Sequence, residues 1–184
     1  MNQLNAPEAA GLIHIYTGEG KGKTTAAIGL TIRCAGSGGR VVFCQFLKDN
    51  RSSELNILRQ LPQVDLVQAP TSFGFYKYLD EQQKAAARQT YSRLLRQAIG
   101  AATATDKPAR LLVLDEAIAA YNHRLLEPEV LLDFLRNKPR QLEVVLTGRG
   151  PAAELAALAD YLSDIHKIRH PFDKGVAARP GIEK

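Results

Sequence analysis

Nine consecutive residues, Thr17-Gly18-Glu19-Gly20-Lys21-Gly22-Lys23-Thr24-Thr25, constrain this chain more than any others. The apolar run 12–16 leads into them, and the helix-forming stretch Ala26-Ala27-Ile28-Gly29-Leu30 follows at once. A strand must therefore turn through glycines directly into a helix. That arrangement aims several backbone N–H groups and the positive end of a helix dipole at one point, where an anion is stabilised. Gly22-Lys23-Thr24 fits the end of the general phosphate-loop pattern G-x-x-x-x-G-K-[ST]. Thr17 stands where the first glycine is expected, and Gly18 and Gly20 supply the freedom instead. Residues Gly18, Glu19, Gly20, Lys21, Gly22, Lys23, Thr24 and Thr25 are expected to cradle a triphosphate. Lys23 would reach the phosphates, and the Thr24 hydroxyl would hold a bridging Mg²⁺.

The rest of the chain alternates strand-like and helical stretches. Strand-like runs fall at 12–16, 41–46, 64–67, 111–114, 142–146 and 165–168. This alternation predicts βαβ units and an open, mostly parallel sheet of about six strands, an α/β fold. The second, fourth and fifth runs are continuously apolar, as central strands covered on both faces must be, whereas the third and sixth alternate like edges. Tyr91, Leu94, Leu95, Ala98, Ile99 and Ala102 recur at helical spacing opposite Arg88, Arg93 and Arg96, which predicts a packing helix. At 184 residues and 45% hydrophobic, the whole chain 1–184 suits a single nucleotide-binding domain that needs no staples. Cys34 and Cys44 form no C-x-x-C pair and read as core thiols.

The strand ending in Val113-Leu114-Asp115-Glu116 places two acids at the end of the sheet where open α/β folds bind ligands. An acid at the tip of a neighbouring strand holds the metal in phosphate-loop proteins, so either Asp115 or Glu116 completes the Mg²⁺ site begun by Thr24. Thr147-Gly148-Arg149-Gly150 ends the fifth strand on the same side, which makes Arg149 a candidate for an anionic group. The net charge of +5 suits anionic partners. A polyphosphate explains it as well as nucleic acid would, because the basic residues are dispersed and not interleaved with aromatics. The sequence contains no run of about 18 apolar residues for a membrane span and no signal-peptide pattern at its start, so a cytoplasmic protein is expected.

Five motifs, taken together, carry a family resemblance. They are the loop Thr17 through Ala27, Gln45-Phe46-Leu47-Lys48, Val113 to Glu116, Thr147 to Gly150, and the tail His170-Pro171-Phe172-x-x-Gly175 through Gly181-Ile182-Glu183. In this order they resemble the phosphate-loop type of ATP:cob(I)alamin (corrinoid) adenosyltransferases, and the likeness spans nearly the whole chain. The resemblance implies a RecA-like fold and transfer of the 5′-deoxyadenosyl group of ATP to the Co(I) of a reduced corrinoid, cobalamin or cobyrinic acid a,c-diamide, in adenosylcobalamin biosynthesis or salvage. Triphosphate leaves intact. It further implies Mg²⁺ or Mn²⁺, Lys48 and Arg149 beside the nucleotide, and Lys23 neutralising the leaving group. Phe73 and Phe75, in the loop after the third strand, would displace the lower cobalt ligand so that Co(II) can be reduced. Relatives are homodimers fed by reduced flavoproteins, which implies the same partners here and neither nucleic acid nor membrane.

Two departures from the family pattern concern closure of the site. Only residues 1–10 precede the first strand, where some relatives have a longer helix covering the partner's site, and Asp49 stands where glycine is usual. Asp164-Ile165-His166 lacks the glycine that a corrinoid-binding D-x-H-x-x-G would need at Arg169, so His166 reads as an edge-strand histidine. Other readings of the same residues stay open: an ATPase or small-molecule kinase using Glu116 as base, and a non-catalytic ATP-dependent corrinoid carrier or sensor.

Overall fold

The computed structural model describes residues 10–74 and 76–183. Six strands, β1 (Ile13–Thr17), β2 (Val41–Gln45), β3 (Val64–Gln68), β4 (Leu111–Asp115), β5 (Glu143–Thr147) and β6 (Tyr161–Asp164), build one sheet. Its order is β3-β2-β4-β5-β1-β6, and every pair is parallel. The open α/β architecture expected from the alternation is therefore present, with β3 at one edge as its alternating pattern requires and β6 at the other.

Apolar residues divide between the two faces with the strand period of two. On one face Val41, Phe43, Leu111, Val113 and Val145 meet Ala27 and Ala35 of helix α1 (Lys23–Gly36) and Leu55 and Leu58 of α2 (Glu54–Leu58). On the other, Val42, Cys44, Leu112, Leu114 and Leu146 meet Tyr91, Leu94, Leu95 and Ala98 of the long helix α3 (Glu81–Ala102), with α4 (Ala117–Asn122) and α5 (Pro128–Asn137) beside it. A short helix, α6 (Ala153–Ala156), buries Leu155 in the same core. Asp80 starts α3 with a reciprocal capping box to Gln83, which satisfies otherwise orphaned N–H donors. Both thiols are free and packed, Cys44 fully, and burial pushes the Cys44 thiol well above its ordinary pKa.

Two expectations need correction. The sixth strand is Tyr161–Asp164 and not 165–168. The chain leaves the sheet at Ile165, whose N–H donates to Thr17 O and whose carbonyl accepts the Gly20 N–H. Ile165 thus supports the phosphate loop instead of extending a strand, and His166 lies exposed beyond the edge. The acid-bearing strand is also not adjacent to β1, because β5 lies between them. Thr24 still reaches Asp115 because it belongs to α1, which packs across this face of the sheet.

Candidate active site

Each strand from β1 to β5 ends in a polar residue: Thr17, Gln45, Gln68, Asp115 and Thr147. Parallel register puts Gln68, Gln45 and Asp115 in line across β3, β2 and β4. Asp115, fully buried at 0% exposure, is the hub of this row. Its Oδ1 accepts hydroxyl hydrogen bonds from Thr24 at 2.9 Å and Thr147 at 2.7 Å. Its Oδ2 accepts from Gln45 Nε2 at 3.1 Å and from the Lys48 ammonium at 2.9 Å. Two donors per oxygen, one of them cationic, compensate the cost of burying this carboxylate.

Glu116, the next residue, has a left-handed backbone, φ 59, and starts α4. Its N–H donates to Thr147 Oγ1 at 2.9 Å, so one hydroxyl ties both acids to β5. Burial, aided by the neighbouring Asp115 charge, pushes the Glu116 carboxyl above its ordinary pKa. Gly148 follows Thr147 with φ 145, and a Cβ there would lie 2.7 Å from Ile118 Cβ. Only glycine lets this loop approach α4 so closely.

The phosphate loop runs from Gly18, φ 104, to Gly22, φ 129, where α1 begins. The Lys23 ammonium donates to the carbonyls of Gly18 at 2.6 Å and Gly20 at 2.8 Å. Burial lowers its pKa, with the Arg149 charge second. Arg149 pairs with Glu19 at 3.0 Å across the mouth of the loop. Asn122 donates to the carbonyls of Arg149, at 3.4 Å, and Gly150, at 2.8 Å, and so holds that mouth in place.

A cavity of about 580 Å³ opens over these groups. Glu19 to Thr25, Lys48, Glu116 and Arg149 form its charged end; Asn122, His123 and the tail residues His170, Phe172 and Glu183 line other walls. Glu183 pairs with Lys21 at 3.5 Å and with Arg179 at 2.8 Å. Hydrogen bonding from Arg179 pulls its carboxyl down to about 2. The tail is thus fastened to the phosphate loop by its last described residue.

The loop candidates Glu19 to Thr25, with Lys48, Glu116 and Arg149, therefore converge on one cavity, with Asp115 directly behind it, while Gly18 lies outside the lining. Phe73 does not line it. Its ring packs edge-on against Tyr91, with centroids 5.8 Å apart, and joins the core under α3. Phe75 lies outside the described residues. The loop holding Phe73 nevertheless abuts the cavity, because Tyr76 stacks on the cavity-lining His123 at 4.2 Å. Sequence reasoning gave no role to Gln45, Thr147 or Asn122. A polar residue ending each apolar strand was the available signal for the first two; Asn122 left none.

A family model described as "ATP:corrinoid adenosyltransferase BtuR/CobO/CobP" matches residues 9–183. The corrinoid adenosyltransferase of Escherichia coli (strain K12) is 32% identical over 178 residues, 97% of this chain and 88% of the relative. The corrinoid adenosyltransferase CobA of Salmonella typhimurium (strain LT2) has the same identity and coverage. Among solved structures, ATPases 2 and 3 of EssC from Geobacillus thermodenitrificans align with a TM-score of 0.53 at 18% identity, over 93% of this chain. Those of EccC from Thermomonospora curvata align at 0.54 and 16%, over 92%. This chain spans 35% of each of these two structures, and the likeness concerns the RecA-like phosphate-loop fold alone. Among the described residues, no helix is long and apolar enough to cross a membrane.

Proposed function

Because the chain belongs to the ATP:corrinoid adenosyltransferase family, we propose that it transfers the 5′-deoxyadenosyl group of ATP to the cobalt of a reduced corrinoid and releases triphosphate. The observation that carries this reading is the convergence of Lys23, Lys48, Arg149 and the phosphate-loop residues Glu19 to Thr25 on one cavity whose other walls are largely uncharged. In the proposed step the Co(I) lone pair forms the Co–C5′ bond while the C5′–O bond breaks, and the electron pair leaves on triphosphate. Such a displacement asks the protein for positioning and for neutralisation of the leaving group, not for a base. Lys23 would turn from its own loop carbonyls to the phosphates, and Arg149 would exchange Glu19 for the same charge.

The residues present fit Mg²⁺, since the Thr24 hydroxyl and the two carboxylates are hard oxygen donors. With both Asp115 oxygens already accepting two hydrogen bonds, Asp115 would act through Thr24, accepting the hydroxyl hydrogen bond and so orienting the hydroxyl oxygen that would hold the cation. Bound there, Mg²⁺ would supply charge neutralisation to the triphosphate. The β3–α3 loop with Phe73 and Phe75 is proposed to meet the corrinoid, a reduced flavoprotein to supply electrons, and a second copy to complete a homodimer.

One experiment tests the reading. The protein is incubated with Mg-ATP and chemically reduced cobalamin; a light-sensitive Co–C bond and triphosphate are expected in equal amounts. Glu116, which lines the cavity with a raised pKa, is the group a hydrolase would use to activate water. ADP in place of triphosphate would therefore refute the transfer and support hydrolysis.

A further inference from the structure

The short connection after β2 carries two residues other than glycine in the left-handed region, Leu47 at φ 57 and Asn50 at φ 62. A leucine is strained there, and such a backbone persists only where its surroundings hold it. Its side chains provide two holds, one on each side of β2. Toward β4, the Lys48 ammonium donates to Asp115 Oδ2 at 2.9 Å. Toward β3, Asn50 Nδ2 donates to the carbonyl of Ala69 at 2.7 Å, the residue immediately past the end of that strand. Ala69 is buried and roots the loop that runs through Phe73 to Tyr76, where the ring stacks on cavity-lining His123.

Residues 47–50 thus form a strap with one arm on the carboxylate behind the phosphate site and the other on the root of the aromatic loop. Lys48 is its cavity-facing end. The side chain lines the cavity and is 26% exposed, with one hydrogen bond to a carboxylate that three other donors already serve. A metal-bound polyphosphate acts on it twice: the cation repels the ammonium from Asp115, and the phosphate oxygens attract it. Among the described residues, Gln45 Oε1 and Gln68 Nε2 at the adjoining strand ends, and Asn50 Oδ1 in the strap itself, are buried and have no hydrogen-bond partner. Such groups leave bonding capacity for a second arrangement.

We propose that Lys48 and Asn50 are positioning residues that couple the phosphate site to the aromatic loop: metal–triphosphate binding draws Lys48 from Asp115, and the strap transmits the change through Asn50 to Ala69. This rests on the phosphate-site reading given above and names how its two halves communicate. The coupling is reciprocal, so fixing the loop changes nucleotide affinity by the same factor.

Hydrogen exchange of the full chain, with and without saturating Mg-ATP and without corrinoid, tests the link. In the wild type, Mg-ATP protects peptides covering 18–25 and slows exchange at 69–79 by about fivefold, the low end of ordinary site-to-site coupling. Asn50→Asp and Asn50→Gly remove the donor while tolerating the left-handed backbone. Both variants keep the protection at 18–25 and lose the response at 69–79, and Lys48→Met loses that response as well. The proposal is overturned if the Asn50 variants respond as the wild type does, or if the wild type protects 18–25 with no change at 69–79. Absence of protection at 18–25 in the wild type overturns the phosphate-site reading itself.

Discussion

Replacing Thr147 by valine deletes one hydroxyl and keeps the shape, so its consequences can be worked from two hydrogen bonds. The hydroxyl donates to Asp115 at 2.7 Å and accepts the Glu116 N–H at 2.9 Å, and the residue is fully buried. A hydrogen bond to a charged group contributes about 1.5–3 kcal/mol, and a buried N–H left without a partner costs about 1–3 kcal/mol. Water cannot replace either bond without opening the space between β4, β5 and α4. Thr147→Val should therefore cost about 3–5 kcal/mol, a large part of the ~5–15 kcal/mol that holds an ordinary domain together. Thr147→Ser keeps the hydroxyl and loses a methyl, which should cost only about 1 kcal/mol. Urea unfolding of the two variants beside the wild type measures both. If valine and serine prove equally mild, within about 1 kcal/mol of the wild type, Thr147 does not carry Asp115 and the polar row is incidental.

Lys23→Ala should leave the fold intact and lower the transfer rate by about 10²–10³, the usual effect of losing one electrostatic contact to a transition state; steady-state assay of triphosphate release reads it. Gly148→Ala should destabilise by at least about 2 kcal/mol in denaturant titration, since the added Cβ collides with Ile118 and the backbone is in a region that alanine avoids. Glu183→Gln should speed limited proteolysis within 170–183 at pH 7 by weakening the holds of Arg179 and Lys21. The wild-type tail should resist protease equally at pH 4.5 and pH 7. A carboxyl lowered to about 2 contributes stability above its ordinary pKa near 4.5 and loses it only as pH falls toward 2.

Most of the fold was legible because each apolar run made its own case. Residues 41–45 and 111–115 are buried along their whole length, and no other element type accounts for such short runs between helices. The last strand failed for a matching reason. Tyr161 and Leu162 are 51% and 53% exposed, so their burial carries no period, while the more regular alternation just downstream belongs to a segment outside the sheet with Ile168 90% exposed. The loop, the acids and Arg149 were legible from local motifs. The bonds that organise them were not, because Gln45 and Thr147 reach Asp115 across 70 and 32 residues of chain, and only strand order brings such positions together. Nor could the loop sequence reveal that Arg149 and Glu19 face each other.

Gly18 and Gly20 carry a different lesson. A Cβ on Gly18 would sit 2.3 Å from Asp164 Oδ1 and 2.4 Å from the Ile165 carbonyl, and one on Gly20 would sit 2.6 Å from that same carbonyl. Both glycines are demanded by the chain lying against them, whatever occupies the cavity. In a descendant of this protein that no longer bound nucleotide, selection for folding alone would preserve these two positions and the Thr24 hydroxyl that serves buried Asp115, while the partly exposed Lys23 would be the first to drift. Half of the signature would outlive the activity. Across diverging copies, lysine at 23 is the mark of a working site, and the first two glycines record only that the last strand still runs beside the first.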